Sequence, residues 1–252
     1  MSVAAVIFDL FDTLVDLPMD TLPRVEIRGQ QIPSTAGALH DALCRRHDVP
    51  FERFVNALRQ VDRHWRTIAY REGRELPTRD RFARVADVLE LDDPELAPLL
   101  TDVHMGLLET VARFVPHHPE TLAALRQRVR IGLCSNFSHT PTALSVLDRA
   151  GLQPHIDAIV VSHDVGIRKP RPEIFAATLA ALAVPAEQAI HVGDNLDADV
   201  AGADGVGLRT IWITRRVPDP EGALARHKGP APTWIVNDLS EIEAIIENES
   251  RG

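Results

Sequence analysis

The stretch Val3-Ala4-Ala5-Val6-Ile7-Phe8-Asp9-Leu10-Phe11-Asp12-Thr13-Leu14 is an apolar run that ends abruptly at an acid. Such a run with a sharp polar break reads as a strand buried on both faces of a parallel sheet, with its carboxyl end at Asp9. In open α/β sheets that end of a strand opens onto the ligand crevice. A carboxylate there, followed by Asp12 and Thr13 in the loop, has the chemistry of a nucleophile, a metal ligand or both. Taken alone, Asp9 would serve equally well as a cap for the next segment.

Working outward, three further groups fall at or just past the ends of expected strands. Ser135 and Asn136 follow the apolar run Val129–Cys134. Lys169 sits in Gly166-Ile167-Arg168-Lys169-Pro170-Arg171-Pro172. Asp194 follows Ala189-Ile190-His191-Val192-Gly193, with Asp199 a little over one helical turn later. Each has an ordinary reading by itself: Ser135 as a cap or turn residue, Lys169 as a surface cation, Gly193-Asp194 as a strand exit. As an ordered set of acid, hydroxyl, cation and acid pair, they resemble the four motifs of the haloacid dehalogenase (HAD) hydrolase superfamily, across nearly the whole chain outside one inserted segment.

That resemblance implies a set of roles. Asp9 would be the nucleophile, forming a covalent aspartyl intermediate that water releases. Lys169 and a divalent cation would balance the charge of an anionic attacker meeting an anionic substrate. Mg²⁺ is the expected cofactor, held by the side chains of Asp9 and Asp194 and the backbone carbonyl of Phe11. Asp199 would help hold the metal site or orient Lys169, with Asp197 and Asn195 near enough to compete for that place. Ser135, the backbone amide of Asn136, Lys169, Thr13 and Phe11 would contact substrate. The expected reaction is Mg²⁺-dependent hydrolysis of a small phosphorylated metabolite.

The sequence departs from the family at one position that matters for chemistry. HAD phosphatases usually carry a second aspartate two residues after the nucleophile, as general acid for the leaving alcohol. Phe11 stands there instead and cannot transfer a proton. Asp12 replaces the family's usual glycine one residue on, and is the candidate substitute. An aromatic at Phe11 also resembles the metal-independent 2-haloacid dehalogenase branch, where halide leaves without a proton. The retained Asp194, and Phe175 where that branch has tyrosine, speak against it. A HAD-fold binding protein with weakened catalysis is a third reading, supported by Phe11 and opposed by Asp9, Lys169 and Asp194.

Composition bounds the rest. A chain of 252 residues, 45% hydrophobic and 25% charged, accommodates a large α/β core with a smaller insert. A formal charge of −9 argues against general affinity for nucleic acid or anionic membrane. The two cysteines, Cys44 and Cys134, lie far apart without metal-ligand spacing. No apolar leader is expected ahead of the first strand, and a reduced, cytoplasmic protein, monomer or homodimer, is the expectation.

The order of periodicities sets the domain plan. After Thr13, residues 17–33 hold three prolines and the alternating Val25-Glu26-Ile27-Arg28, which reads as a linker with a small hairpin. Helical patterns follow over Ala36–Arg46, Phe51–Tyr70, Arg79–Leu89 and Leu96–Phe114. Residues 17–108 are therefore expected to form a helical cap. Among its cations are Arg45, Arg46, Arg63, His64, Arg66 and Arg71, one or two of which would grip substrate. Residues 1–16 and 109–252 form the expected Rossmann-like core, a doubly wound parallel sheet with alternating strands and helices. Pro116-His117-His118-Pro119 is expected as a surface turn, since no third ligand is near in sequence. The closing Glu249-Ser250-Arg251-Gly252 is expected to fray.

Overall fold

The computed structural model describes residues 3–251; Gly252, at the end of the terminus expected to fray, lies outside the described residues. In chain order the strands are β1 (Ala5–Phe8), β2 (Val15–Asp16), β3 (Arg24–Ile27), β4 (Gln30–Pro33), β5 (Arg113–Phe114), β6 (Arg130–Ser135), β7 (Ala158–Val161), β8 (Ala189–Gly193), β9 (Arg209–Ile213) and β10 (Trp234–Val236). The chain divides into two units, one of residues 1–16 with 114–252 and the other of residues 17–113.

The first unit is built on a six-stranded sheet in the order β10-β9-β8-β1-β6-β7. Every neighbouring pair with a described register is parallel, and Phe8 lies beside Leu133 on one side and Val192 on the other. All four residues of β1 are buried, which is why its sequence is continuously apolar rather than alternating. The chain runs from β1 to β6 and β7 on one side, then to β8, β9 and β10 on the other. The crevice at the carboxyl ends therefore opens where the winding direction reverses, beside β1. Helices His118–Arg126, Thr140–Arg149, Pro172–Leu182 and Ile242–Arg251 accompany the sheet. The helix Pro172–Leu182 buries Ile174, Phe175, Thr178 and Leu182.

Some elements differ from the sequence expectation. Between β8 and β9 the alternating plan is met not by a regular helix but by a π-helical turn, Leu196–Ala201, followed by a short α-helical turn, Gly202–Asp204. The helix expected to reach Phe114 ends at Val111, and β5 follows it. That helix overruns the expected cap boundary at 108, so residues 109–113 belong to the second unit. A helix over Pro220–Arg226, with no counterpart in the sequence reading, buries no side chain and starts where Asp219 accepts from Gly222 N at 3.0 Å.

The second unit holds helices Ala36–Cys44, Phe51–Glu72, Thr78–Leu89 and Leu96–Val111 around Phe54, Leu58, Phe82, Leu89, Leu96 and Leu100. It is not wholly helical: β3 and β4 form an antiparallel hairpin that turns at Arg28-Gly29, both with positive φ. Of the arginines noted from the sequence, Arg46 is engaged by Asp93 at 2.6 and 2.8 Å, alongside His47. Among the described residues, no helix is long and apolar enough to cross a membrane.

Candidate active site

The parallel register fixes where the first group stands. Asp9 N donates to Val192 O at 2.9 Å, extending the ladder by one residue, so the carboxylate emerges at the rim formed by the ends of β1, β6 and β8. The next residues turn tightly. Leu14 N and Val15 N both return to Leu10 O, and Asp12 N donates to Val15 O at 2.7 Å. Asp12 takes φ 58° to make this turn, a left-handed conformation that glycine, asparagine and aspartate tolerate best.

Lys169 is brought to Asp9 from a distant loop. Its ammonium donates to Asp9 Oδ1 at 2.6 Å, Asp199 Oδ1 at 2.7 Å and the Cys134 carbonyl at 2.6 Å. These bonds commit all three of its N–H groups. Asn136 holds the backbone of the same loop: its Oδ1 accepts from Lys169 N at 2.7 Å and its Nδ2 donates to Lys169 O at 3.0 Å. The side chain of Asn136 is thus occupied in joining two loops, and its backbone amide is the group left for a ligand. Ser135 ends β6, buried at the same rim.

The last acids are placed by β8 and the turn after it. Asn195 Oδ1 accepts from the amides of Asp197 and Ala198, capping the π-helical turn. That turn swings Asp199 back under the end of β8. A Cβ on Gly193 would lie 2.2 Å from Asp199 Cγ, so only glycine admits the carboxylate. Asp199 Oδ1 accepts from Lys169 and from His191 Nε2 at 2.9 Å, and its Oδ2 accepts from Asn195 N at 3.0 Å. Both oxygens are therefore engaged within the protein. Asp197, the competing acid, is exposed and lies 3.2 Å from His227 Nδ1, away from Lys169. The main chain at Asp194 is fixed by Trp212 Nε1, which donates to Asp194 O at 2.7 Å.

Three carboxylates, of Asp9, Asp194 and Asp199, each offer an oxygen within 4.8 Å of the others. One ammonium serves them all. Burial pushes Asp9 up to about 6; Lys169 opposes this and Asp199 adds to it. Burial pushes Asp194 up to about 8, reinforced by Asp199, Asp9 and Asp12. Asp199 is buried too, yet Lys169 and His191 hold it below the ordinary carboxylate range. Burial works against the Lys169 charge, but Asp199 and Asp9 outweigh it and raise its pKa. His191, whose pKa burial lowers, donates from Nε2 as a neutral ring. The arrangement carries more negative charge than Lys169 neutralises, and a hard divalent cation fits that deficit.

Phe11 and Asp12 diverge. The Phe11 ring lies 4.7 Å from that of Phe137, centroid to centroid, forming an aromatic wall. Asp12 Oδ1 lies 3.4 Å from Arg216 Nε. Thr13 is fully buried, and its hydroxyl has no hydrogen-bond partner among the described residues.

A model of the haloacid dehalogenase-like hydrolases matches residues 3–207. The chain belongs to that family. A ribulose-1,5-bisphosphate 5-phosphatase of Halopiger xanaduensis is 31% identical over 220 residues, covering 82% of this chain and 83% of that protein. The pyrimidine 5'-nucleotidase YjjG of Escherichia coli K12 is 30% identical over 169 residues, covering 66% and 69%. A crystal structure of a 2-haloacid dehalogenase from Pseudomonas syringae pv. Tomato DC3000 aligns with a TM-score of 0.71 at 24% identity, over 98% of this chain and 99% of that one. At that identity the likeness speaks to the fold.

Within this HAD hydrolase, Asp9, Ser135, Lys169 and Asp199 meet at one buried rim, with Asp194 beside them. Several neighbours were not singled out from sequence. His191 stands inside the apolar run of β8, and a histidine in such a buried run is itself a signal of a polar partner. Phe137, Arg216, Trp212 and the Cys134 carbonyl carried no sequence signal. The turn at His117-His118 also differs from expectation. His118 is buried and opens a helix, donating from Nδ1 to Leu14 O at 2.8 Å. A third group does arrive: Asp238 Oδ1 lies 2.8 Å from His117 Nε2. That oxygen already accepts from Ser240 N and Oγ, so the contact anchors a helix cap.

Proposed function

We propose that this HAD hydrolase is a Mg²⁺-dependent phosphatase of small phosphorylated metabolites, acting through an aspartyl-phosphate on Asp9. The observation that carries this reading is the convergence of three carboxylates around the single ammonium of Lys169: Asp9, Asp194 and Asp199 each offer an oxygen within 4.8 Å of the others. Asp9, Asp194 and the Phe11 carbonyl would hold the cation, which when bound supplies neutralising charge for the attacking and transferring oxygens.

The protein groups do the rest. Lys169 fixes Asp9 Oδ1, leaving Oδ2 to attack phosphorus as the bond to the leaving oxygen breaks. Ser135 and the Asn136 amide would bind the phosphoryl oxygens, while Lys169, its three N–H groups committed, acts on them through its charge. Water then attacks phosphorus, breaks the Asp9–phosphorus bond and restores the carboxylate. Asp199 acts through Lys169, since neither of its oxygens is unengaged. Phe11 offers no proton to the leaving group, so substrates with good leaving groups are favoured. The two relatives, one named a phosphatase and the other a 5'-nucleotidase, support the same reaction class.

Release of phosphate from p-nitrophenyl phosphate tests the proposal. Turnover should require Mg²⁺ and vanish in Asp9→Asn; undiminished turnover in excess chelator would overturn it. The aromatic wall of Phe11 and Phe137 favours a second reading, displacement of halide from a 2-haloacid. Metal-independent halide release from 2-chloropropionate would support that reading, and absence of release would remove it.

A further inference from the structure

A groove of about 650 Å³ within the second unit is lined by Arg28, Arg59, Arg63, Arg66 and Arg71, together with Asp62. An adjoining groove of about 700 Å³ shares Arg28, Arg59 and Arg63. Arg59, Arg63 and Arg66 follow at i, i+4 and i+7 on the helix Phe51–Glu72, which puts them on one face. Like charges at this spacing repel and disfavour the helix that carries them. Acids do not relieve them: Asp62 accepts two bonds from Arg81, at 2.6 and 2.8 Å. Among the described residues, no carboxylate pairs with any of the five arginines.

Arg28 adds a second cost. It occupies the first turn position of the β3–β4 hairpin at φ 54°, followed by Gly29 at φ 74°. Two-residue hairpin turns with positive φ at both places favour asparagine, aspartate or glycine. A long cationic side chain is held there instead, lining the same groove. Two local rules are thus broken at one place in a chain whose net charge is −9.

We propose that this groove is a binding site for a small polyanion, a molecule bearing two phosphate groups or comparable oxyanions. Guanidinium groups match tetrahedral and planar oxyanions in a bidentate manner. The cationic lining is bounded, because the hollow beyond Arg28 and Arg59 carries Glu26 and Glu52. A nucleic acid would need a longer cationic track than that boundary allows. The site stands on the second unit alone and does not depend on hydrolysis at Asp9.

Titration calorimetry of the full chain with inorganic pyrophosphate, in chelator, tests it. Pyrophosphate should bind one to one, at least about tenfold tighter than orthophosphate, and weaken with added salt. Arg59→Gln and Arg63→Gln should each weaken it about tenfold, about 1.4 kcal/mol apiece, with unchanged far-ultraviolet circular dichroism. Asp9→Asn should bind as the parent does. No binding, equal binding by the Arg59→Gln/Arg63→Gln protein, or loss in Asp9→Asn would overturn the proposal. So would tighter binding of a short single-stranded DNA that pyrophosphate fails to displace.

Discussion

On the proposed phosphatase reading, Phe11 is the side chain that limits the chemistry. Its ring rests against Phe137, where a carboxylic acid would protonate a leaving alcohol. Asp12 is not an evident replacement, for its carboxylate lies 3.4 Å from Arg216. Phe11→Asp should therefore raise turnover of an alkyl phosphate relative to p-nitrophenyl phosphate, whose leaving group needs no proton. General acid catalysis is worth about 10²–10⁴-fold, which bounds the gain. Paired steady-state assays on the two esters read the ratio, and an unchanged ratio would count against this account of Phe11. Asp194 is the complementary case, because it is costly without a cation. Asp194→Asn should abolish Mg²⁺-dependent hydrolysis while raising the melting temperature of the metal-free protein at pH 8.

The element that organises the last motif is the passage from β8 into the π-helical turn. A single extra residue per turn redirects the chain, and such turns recur at functional sites. Here it lets Asp199 reach back to Lys169, His191 and its own strand end within one short segment. Gly193→Ala would drive a methyl group into that carboxylate. Overpacking of this kind costs about 1–3 kcal/mol. Loss of hydrolysis is expected with the sheet retained, as read by assay and circular dichroism. Full activity in Gly193→Ala would show that the position of Asp199 is not critical.

For the whole molecule, the buried charges set how stability responds to pH. Burial pushes Asp9 and Asp194 up from an ordinary value of 3.8 to about 6 and about 8. At these two groups the fold holds protons that the unfolded chain has released, which lowers stability as pH rises from about 4 to about 8. His118 and His191, lowered by burial from 6.5, work the other way below that value, so the net fall is expected between about 6.5 and about 8. Asp199, lowered in the fold, contributes stability that is already complete above 3.8. Lys169, raised in the fold, keeps its contribution below 10.5. Neither offsets the decline in that window. On the proposed metal site, Mg²⁺ should reverse it, since the cation would be held by the deprotonated carboxylates. At a hundredfold excess over its dissociation constant a ligand adds about 2.7 kcal/mol, roughly 5–10 °C for a chain of this size. Melting curves with and without Mg²⁺ at pH 5 and pH 8 should show the larger rise at pH 8.

Much of the core was legible because burial on both sheet faces demands continuous apolar runs. Those runs, read from Val3–Phe8, Val129–Cys134 and Ala189–Val192, pointed to the parallel α/β class and put Asp9, Ser135 and Asp194 at strand ends. The order of the motifs gave the family. Tertiary structure alone decided which acid meets Lys169, because Asp197 and Asp199 differ in sequence by two places and in space by the sense of a π-helical turn. It alone brought His191 and the Cys134 carbonyl into the charge network, and gathered Arg28 with Arg59 and Arg63 from separate elements. A sequence records which groups follow one another along the chain; charge and hydrogen bonding act through space, over a few ångströms, between residues the chain holds far apart.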